Sequence, residues 1–125
     1  MHGDIVYLEL ALVDIDETLR FYRELFGWTF EESHLSKQKY FMFKTPGESI
    51  LGALDQNVEP SVSGVQCYIE VDDIDTVLTA LSDYAGTEVL KEKTFLSDAY
   101  GHYALIKDPS GNKIGLQQDA RSESP

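Results

Sequence analysis

The chain is poor in the residues on which several kinds of chemistry depend. A single cysteine, Cys67, among 125 residues excludes an internal disulfide and every zinc site built from several thiolates. Only ten basic side chains stand against 22 acidic ones, a formal net charge of -12. Such a balance repels phosphate backbones, so no nucleic-acid partner is expected. No apolar run approaches the roughly 18 residues of a membrane-spanning helix. Met1 to Val6 lacks the basic stretch and long apolar segment of a signal peptide. Neither a membrane span nor a leader is therefore expected, and a cytoplasmic protein is the default. The glycines are dispersed and none stands before a Lys-Ser or Lys-Thr pair, which removes a phosphate-cradling loop. Ser33, Ser36, Ser49 and Ser97 lack the context of a nucleophile elbow.

Apolar residues, by contrast, make up 42% of the chain and include seven Tyr, six Phe and one Trp. That is ample for one folded domain at a length typical of single domains. Residues Ile5 to Val13 read as a strand. Asp14 can cap a helix, with Glu17 placed as in a capping box. Ile15, Leu19, Tyr22 and Phe26 form a helical stripe. Asp16, Glu17, Arg20, Arg23 and Glu24 fill the other face as solvated charge pairs. Gly27 ends the helix. Trp28–Glu32, Lys39–Lys44 and Ile50–Leu54 read as strands, with a turn at Pro46-Gly47.

The second half repeats this order. A strand is predicted at Val65–Val71, and Asp73 begins a helix striped by Ile74, Val77, Leu78 and Leu81. Gly86 ends that helix, and strands follow at Glu88–Thr94, His102–Lys107 and Lys113–Gln117. At an offset of 59, Asp14, Ile15, Asp16, Leu19 and Gly27 fall on Asp73, Ile74, Asp75, Leu78 and Gly86, all identical. Ile50 matches Ile114 at an offset of 64, which puts about five extra residues near Phe95 to Tyr100. The predicted fold is α+β, two βαβββ modules at about 4–56 and 64–117, with residues 118–125 a loose tail.

This paired architecture resembles the vicinal oxygen chelate superfamily of glyoxalase I, bleomycin-resistance proteins and extradiol dioxygenases. Phe21-Tyr22-Arg23-Glu24-Leu25-Phe26-Gly27-Trp28 is similar to that family's first-helix signature. Asp108-Pro109-Ser110-Gly111-Asn112-Lys113-Ile114-Gly115-Leu116-Gln117 is similar to its final hairpin. The resemblance spans roughly Asp4 to Gln117. It implies a cupped mixed sheet around a cavity and, in many members, a homodimer. It also implies four metal-ligand positions, which fall here on Tyr7, Gln66, Leu51 (or its neighbour Gly52) and Gly115. Leu and Gly cannot ligate, and Tyr with Gln holds a hard cation poorly. The usual metal set is therefore missing, and no metal cofactor is expected. An unconventional site of Glu9 and His102 is outweighed by the plainer reading of an exposed strand-end His and a sheet-surface Glu.

Alternation along the first strand of each module groups Tyr7, Glu9 and Ala11 on one face, and Gln66, Tyr68 and Glu70 on another. Trp28, Tyr40, Tyr100, His102 and Tyr103 are candidate wall or rim residues. Aromatic walls with carboxylates suit a planar or cationic organic ligand. Cys67 alternates away from that face and reads as a buried, inert thiol. Three readings follow. The first is a metal-free protein that binds a small aromatic or cationic molecule. The second is a metal-independent isomerase or lyase with a desolvated Glu9 or Glu70 as base. The third is a metal-dependent lyase or dioxygenase of the glyoxalase type.

Overall fold

The computed structural model describes residues 1–34, 37–60 and 62–119. The first half runs β1 (Tyr7–Ala11), α1 (Ile15–Phe26), β2 (Thr29–Glu32), β3 (Tyr40–Lys44) and β4 (Leu51–Asp55). The second runs β5 (Tyr68–Glu70), α2 (Ile74–Ala80), a 3-10 turn at Leu81–Asp83, β6 (Glu88–Ser97), β7 (Gly101–Lys107) and β8 (Lys113–Gln118). Each module builds its own mixed sheet, in the orders β1-β4-β3-β2 and β5-β8-β7-β6. First and last strands of a module pair in parallel, and its other neighbours pair antiparallel. The predicted duplication is thus visible as the same strand order twice. The extra residues of the second module lengthen β6 to ten residues, against four in β2. Its pairing with β7 shifts register three times.

β1 and β5 are shorter than the predicted runs Ile5–Val13 and Val65–Val71, spanning Tyr7–Ala11 and Tyr68–Glu70. Ile5 and Val6 precede β1 and are 87% and 70% exposed. β-Branched residues read as strand by propensity, but the pairing of β1 with β4 begins at Tyr7 and Leu51, with no ladder for residues before them. Gln118, placed in the tail by its polarity, is instead a buried end of β8. Its Oε1 accepts the Ile74 amide at 2.8 Å and so caps α2. Asp73, the residue predicted for that role, accepts the Thr76 hydroxyl at 2.6 Å. The remainder of the predicted tail, 120–125, lies outside the described residues.

Helix α1 holds the two halves together. Asp14 Oδ1 accepts the Glu17 amide, and Gly27, left-handed at φ 71°, closes the helix by donating to the Arg23 carbonyl. The predicted capping box does not close. Glu17 instead binds Arg20 at 2.9 Å and accepts the Ala85 amide of the second module at 2.7 Å. The buried arc comprises Thr18, Leu19, Phe21 and Tyr22, wider than the predicted stripe. Under it sits the Asp108–Asn112 turn. Tyr22 donates to Asp108 Oδ2 at 2.6 Å, and Asn112 Nδ2 donates to the same oxygen at 2.8 Å and to the Ala11 carbonyl at 2.9 Å. Ser110 Oγ accepts the Val13 amide at 2.8 Å and meets Thr18 Oγ1 at 2.6 Å. Burial raises the Asp108 carboxyl above the usual carboxylate range, while the bonds from Tyr22 and Asn112 pull it back down. The helix and hairpin signatures are therefore two sides of one buried fastening. Beside it Trp28 stacks between Tyr22 and Phe43, both ring centroids 4.3 Å away.

Candidate functional site

Each sheet turns one face to the helices and leaves the other open. In the first module, Leu10, Phe43 and Leu54 join Phe21 and Tyr22 in the core. Alternation then puts Tyr7 and Glu9 of β1 on the open face, beside Leu51 and Ala53 of β4 and Tyr40, Met42 and Lys44 of β3. The strand order brings three polar groups of this face together. The Tyr7 and Tyr40 hydroxyls lie 2.8 Å apart, and Tyr40 donates to Glu9 Oε2 at 3.0 Å. Burial, with the bonds to Tyr7 and Glu9, raises the Tyr40 hydroxyl well above the ordinary tyrosine range. Tyr7, Met42, Lys44 and Leu51 border an adjoining hollow of about 250 Å³.

The open face of the second module carries Tyr68 and Glu70 of β5, with Gly115 and Gln117 of β8 and Tyr103 of β7. Tyr68, Leu96, Tyr100, Tyr103 and Gln117 line a second hollow of about 370 Å³. Within the single chain Tyr7 and Tyr68 do not share a hollow, and where the two first strands do border one space it is Leu8, from the other face of β1, that meets Tyr68 and Glu70 of β5. Glu70 opens on a third space of about 370 Å³ between the modules, with Leu8, Phe26, Ile50 and Cys67. Burial pushes the Cys67 thiol up, away from the reactive thiolate.

The other candidate residues fall into different settings. Trp28, a candidate wall residue, is 4% exposed in the aromatic core and borders the space between the modules from there. His102 pairs with Gln118 on the face opposite Tyr103 and meets Phe95 edge-on at 5.4 Å. It therefore cannot join Glu9, which is bound to Tyr40 on the other module's open face. Gln66 precedes β5, and its amide donates to the Cys67 carbonyl at 3.1 Å and reaches the Lys113 carbonyl at 3.5 Å. Glu9 and Glu70 are both exposed, so a single chain does not supply the desolvated setting that a carboxylate base requires.

These placements decide how the family's metal positions fit. In the second module Tyr68, not Gln66, pairs with Gly115, two residues out of step with the sequence offset. A Cβ on Gly115 would collide with the Tyr68 ring, so the ring fills the space a ligating side chain would need. A Cβ on Gly52 would meet Leu8 and Phe43, on the helix side, which leaves Leu51 as the open-face position. The four positions thus hold a tyrosine engaged with Tyr40, an apolar side chain, an amide bound to backbone and a filled slot. The usual metal does not fit this set. Among the described residues no three His, Cys, Asp or Glu side chains group to hold a metal ion, and no helix is long and apolar enough to cross a membrane. Met42, Leu96 and Gln117 were not among the predicted lining residues; strand alternation marks them only once the strand order is known.

Two βαβββ modules, each with parallel first and last strands and an open face turned from its helix, define a glyoxalase-type architecture. The chain belongs to the Glyoxalase/Bleomycin resistance protein/Dioxygenase superfamily, whose profile matches residues 4–116. A glyoxylase-like domain-containing protein of Didymella fabae is 26% identical over 117 residues, covering 90% of this chain and 91% of that one. Two mycobacterial relatives, 27% identical over 120 residues, are longer: the chain spans 45% of their length. Among solved structures, TnmS3, an antibiotic binding protein from Streptomyces sp. CB03234, superposes with a TM-score of 0.68 at 22% identity, over 95% of this chain and 98% of that one. The fosfomycin resistance protein FosX from Listeria monocytogenes gives 0.72 at 15% identity, over 95% and 93%. At these identities the likeness establishes the fold.

Proposed function

We propose that this chain binds a small aromatic or cationic organic molecule without a metal, in the manner of the family's bleomycin-resistance branch. The ligand rests against Tyr7, Glu9 and Tyr40, with Tyr68 and Tyr103 as the aromatic surface of the second module. One observation carries the reading: the Tyr68 ring stands where Gly115 would need a ligating side chain, while the aromatic faces stay open. The antibiotic-binding relative TnmS3 supports it. A second copy closes the hollows. Its support is apolar surface left bare in one chain, with Leu51 47%, Tyr68 51% and Tyr100 65% exposed, beyond what a lone domain needs to show.

The test is a thermal-shift series on purified protein with Ni, Zn, Mn, Fe or chelator, alongside a panel of aromatic amines and elemental analysis. A ligand that binds only the folded state raises the melting temperature. The expected result is no bound metal, no shift with metal or chelator, and shifts with amines that Tyr7→Ala removes. Stoichiometric metal with a clear shift overturns the reading. Light scattering that finds only monomer, with and without ligand, removes the second copy from it.

A further inference from the structure

From the hydrogen-bond polarity of the first module's open face, we infer that the site selects hydrogen-bond-donating cations, ammonium compounds above all, and rejects anions. This rests on the proposed reading of that face as the ligand site and names its substrate class. A carboxylate accepts hydrogen bonds and a tyrosine hydroxyl has one hydrogen to give. Tyr40 gives its hydrogen to Glu9 Oε2 at 3.0 Å. In the 2.8 Å contact between the two hydroxyls, Tyr7 must therefore be the donor. Both hydroxyl hydrogens are then spent inside the string, which runs Tyr7 to Tyr40 to Glu9. What it turns outward is acceptor only: the Tyr7 oxygen lone pairs and the second carboxylate oxygen of Glu9.

The surroundings agree in sign. Cross-strand register puts Glu31 and Asp55 on the same face. The cation there, Lys44, lies 3.7 Å from Glu48. Tyr7 is 42% exposed and borders the hollow of about 250 Å³ with Met42 and Leu51, and with Glu31 and Lys44 at its polar edge. The hollow offers an apolar seat beside the acceptors. An arylalkyl ammonium satisfies both, through donors to Tyr7 and Glu9 and a ring or chain on Met42 and Leu51. A carboxylate or phosphonate of the same shape finds no donor in the string and meets Glu9 charge to charge.

Three probes of one shape separate the possibilities: 2-phenylethylammonium, 2-phenylethanol and phenylacetate, titrated into the 125-residue chain carrying 13C-labelled tyrosine. The Tyr7 and Tyr40 ring resonances, assigned by Tyr7→Phe and Tyr40→Phe, locate binding. The ammonium should bind roughly tenfold or more tightly than the alcohol, and phenylacetate should not bind. Glu9→Gln gives the string an amide that both donates and accepts, so the ammonium's advantage should largely vanish. Tyr40→Phe frees the Tyr7 hydrogen, so the alcohol should gain on the ammonium. Alcohol or phenylacetate binding at these tyrosines as tightly as the ammonium overturns the cation preference and leaves the face as a ligand site. An unaltered ammonium preference in both variants removes the string as its cause. Resonances unmoved by all three probes remove the proposed site, and the inference with it.

Discussion

Tyr22 shows how much one hydroxyl can carry. Its hydroxyl is buried and donates at 2.6 Å to Asp108, itself fully buried. Removing that donor leaves a buried carboxyl short of a partner, which costs about 1–3 kcal/mol. The loss has a pH signature. Burial already makes folded Asp108 hold its proton more tightly than the unfolded chain does, so its contribution to stability falls as pH rises through the folded pKa. The Tyr22 bond opposes that trend by favouring the ionised form. Tyr22→Phe should therefore destabilise more at pH 7 than near pH 4, as read from urea unfolding at the two values. An equal loss at both would mean that the bond does not discriminate between the protonation states. Residue chemistry of this kind was only half legible in the sequence. The Asp108-Pro109-Ser110-Gly111 turn was plain from composition, but its attachment to Tyr22, 86 positions earlier, was not. Tyr40 was the same: a rim aromatic by sequence, and the middle of a Tyr7–Tyr40–Glu9 string once β3 lies beside β4.

Elements were read well where local rules govern and poorly where pairing does. The caps at Asp14 and Gly27, the stripe of α1 and the turn at Pro46-Gly47 follow from short-range chemistry, and the structure keeps them. Strand ends follow from the partner strand, so Ile5, Val6 and Val65 fell outside β1 and β5 in spite of their propensity. Register behaves likewise. The repeat offset aligned Gln66 with Tyr7, yet the pairing of β5 with β8 sets Tyr68 across from Gly115. A two-residue slip keeps the same face, so nothing in the hydrophobic pattern reveals it. The slip fixes what Gly115 is for: it leaves room for the Tyr68 ring. Gly115→Glu should accordingly destabilise by about 1–3 kcal/mol through overpacking, while Tyr68→Ala with Gly115→Glu should lose less than the sum of the two single changes. Additive losses would show that the ring and the missing side chain do not compete for one space.

At the scale of the whole molecule, the two modules share no strand pairing among the described residues and are joined by α1 and the turn beneath it. Glu17 reaches the Ala85 amide, Arg20 reaches the Asp83 carbonyl at 2.7 Å, and Tyr84 donates to Glu24 at 2.7 Å. The duplication was readable because it repeats short-range signals. The joint was not, because nothing within one module's pattern encodes the other's position. A joint of buried hydrogen bonds under a shared aromatic core couples the halves. The core includes Val71, Ile74, Val77 and Tyr84 of the second module together with Phe21, Tyr22 and Trp28 of the first. The chain should therefore unfold as one cooperative unit. Trp28, the sole tryptophan, reports on the first module, and a fluorinated tyrosine at Tyr103 reports on the second. Their urea transitions should coincide, and should still coincide, at lower midpoint, in Tyr22→Phe. In Asn112→Ala the turn loses its bonds to Ala11 and Asp108 together, so that variant is where the two curves should first separate. Separation already in the unaltered protein would mean that each sheet stands on its own core and that the fastening only orients them.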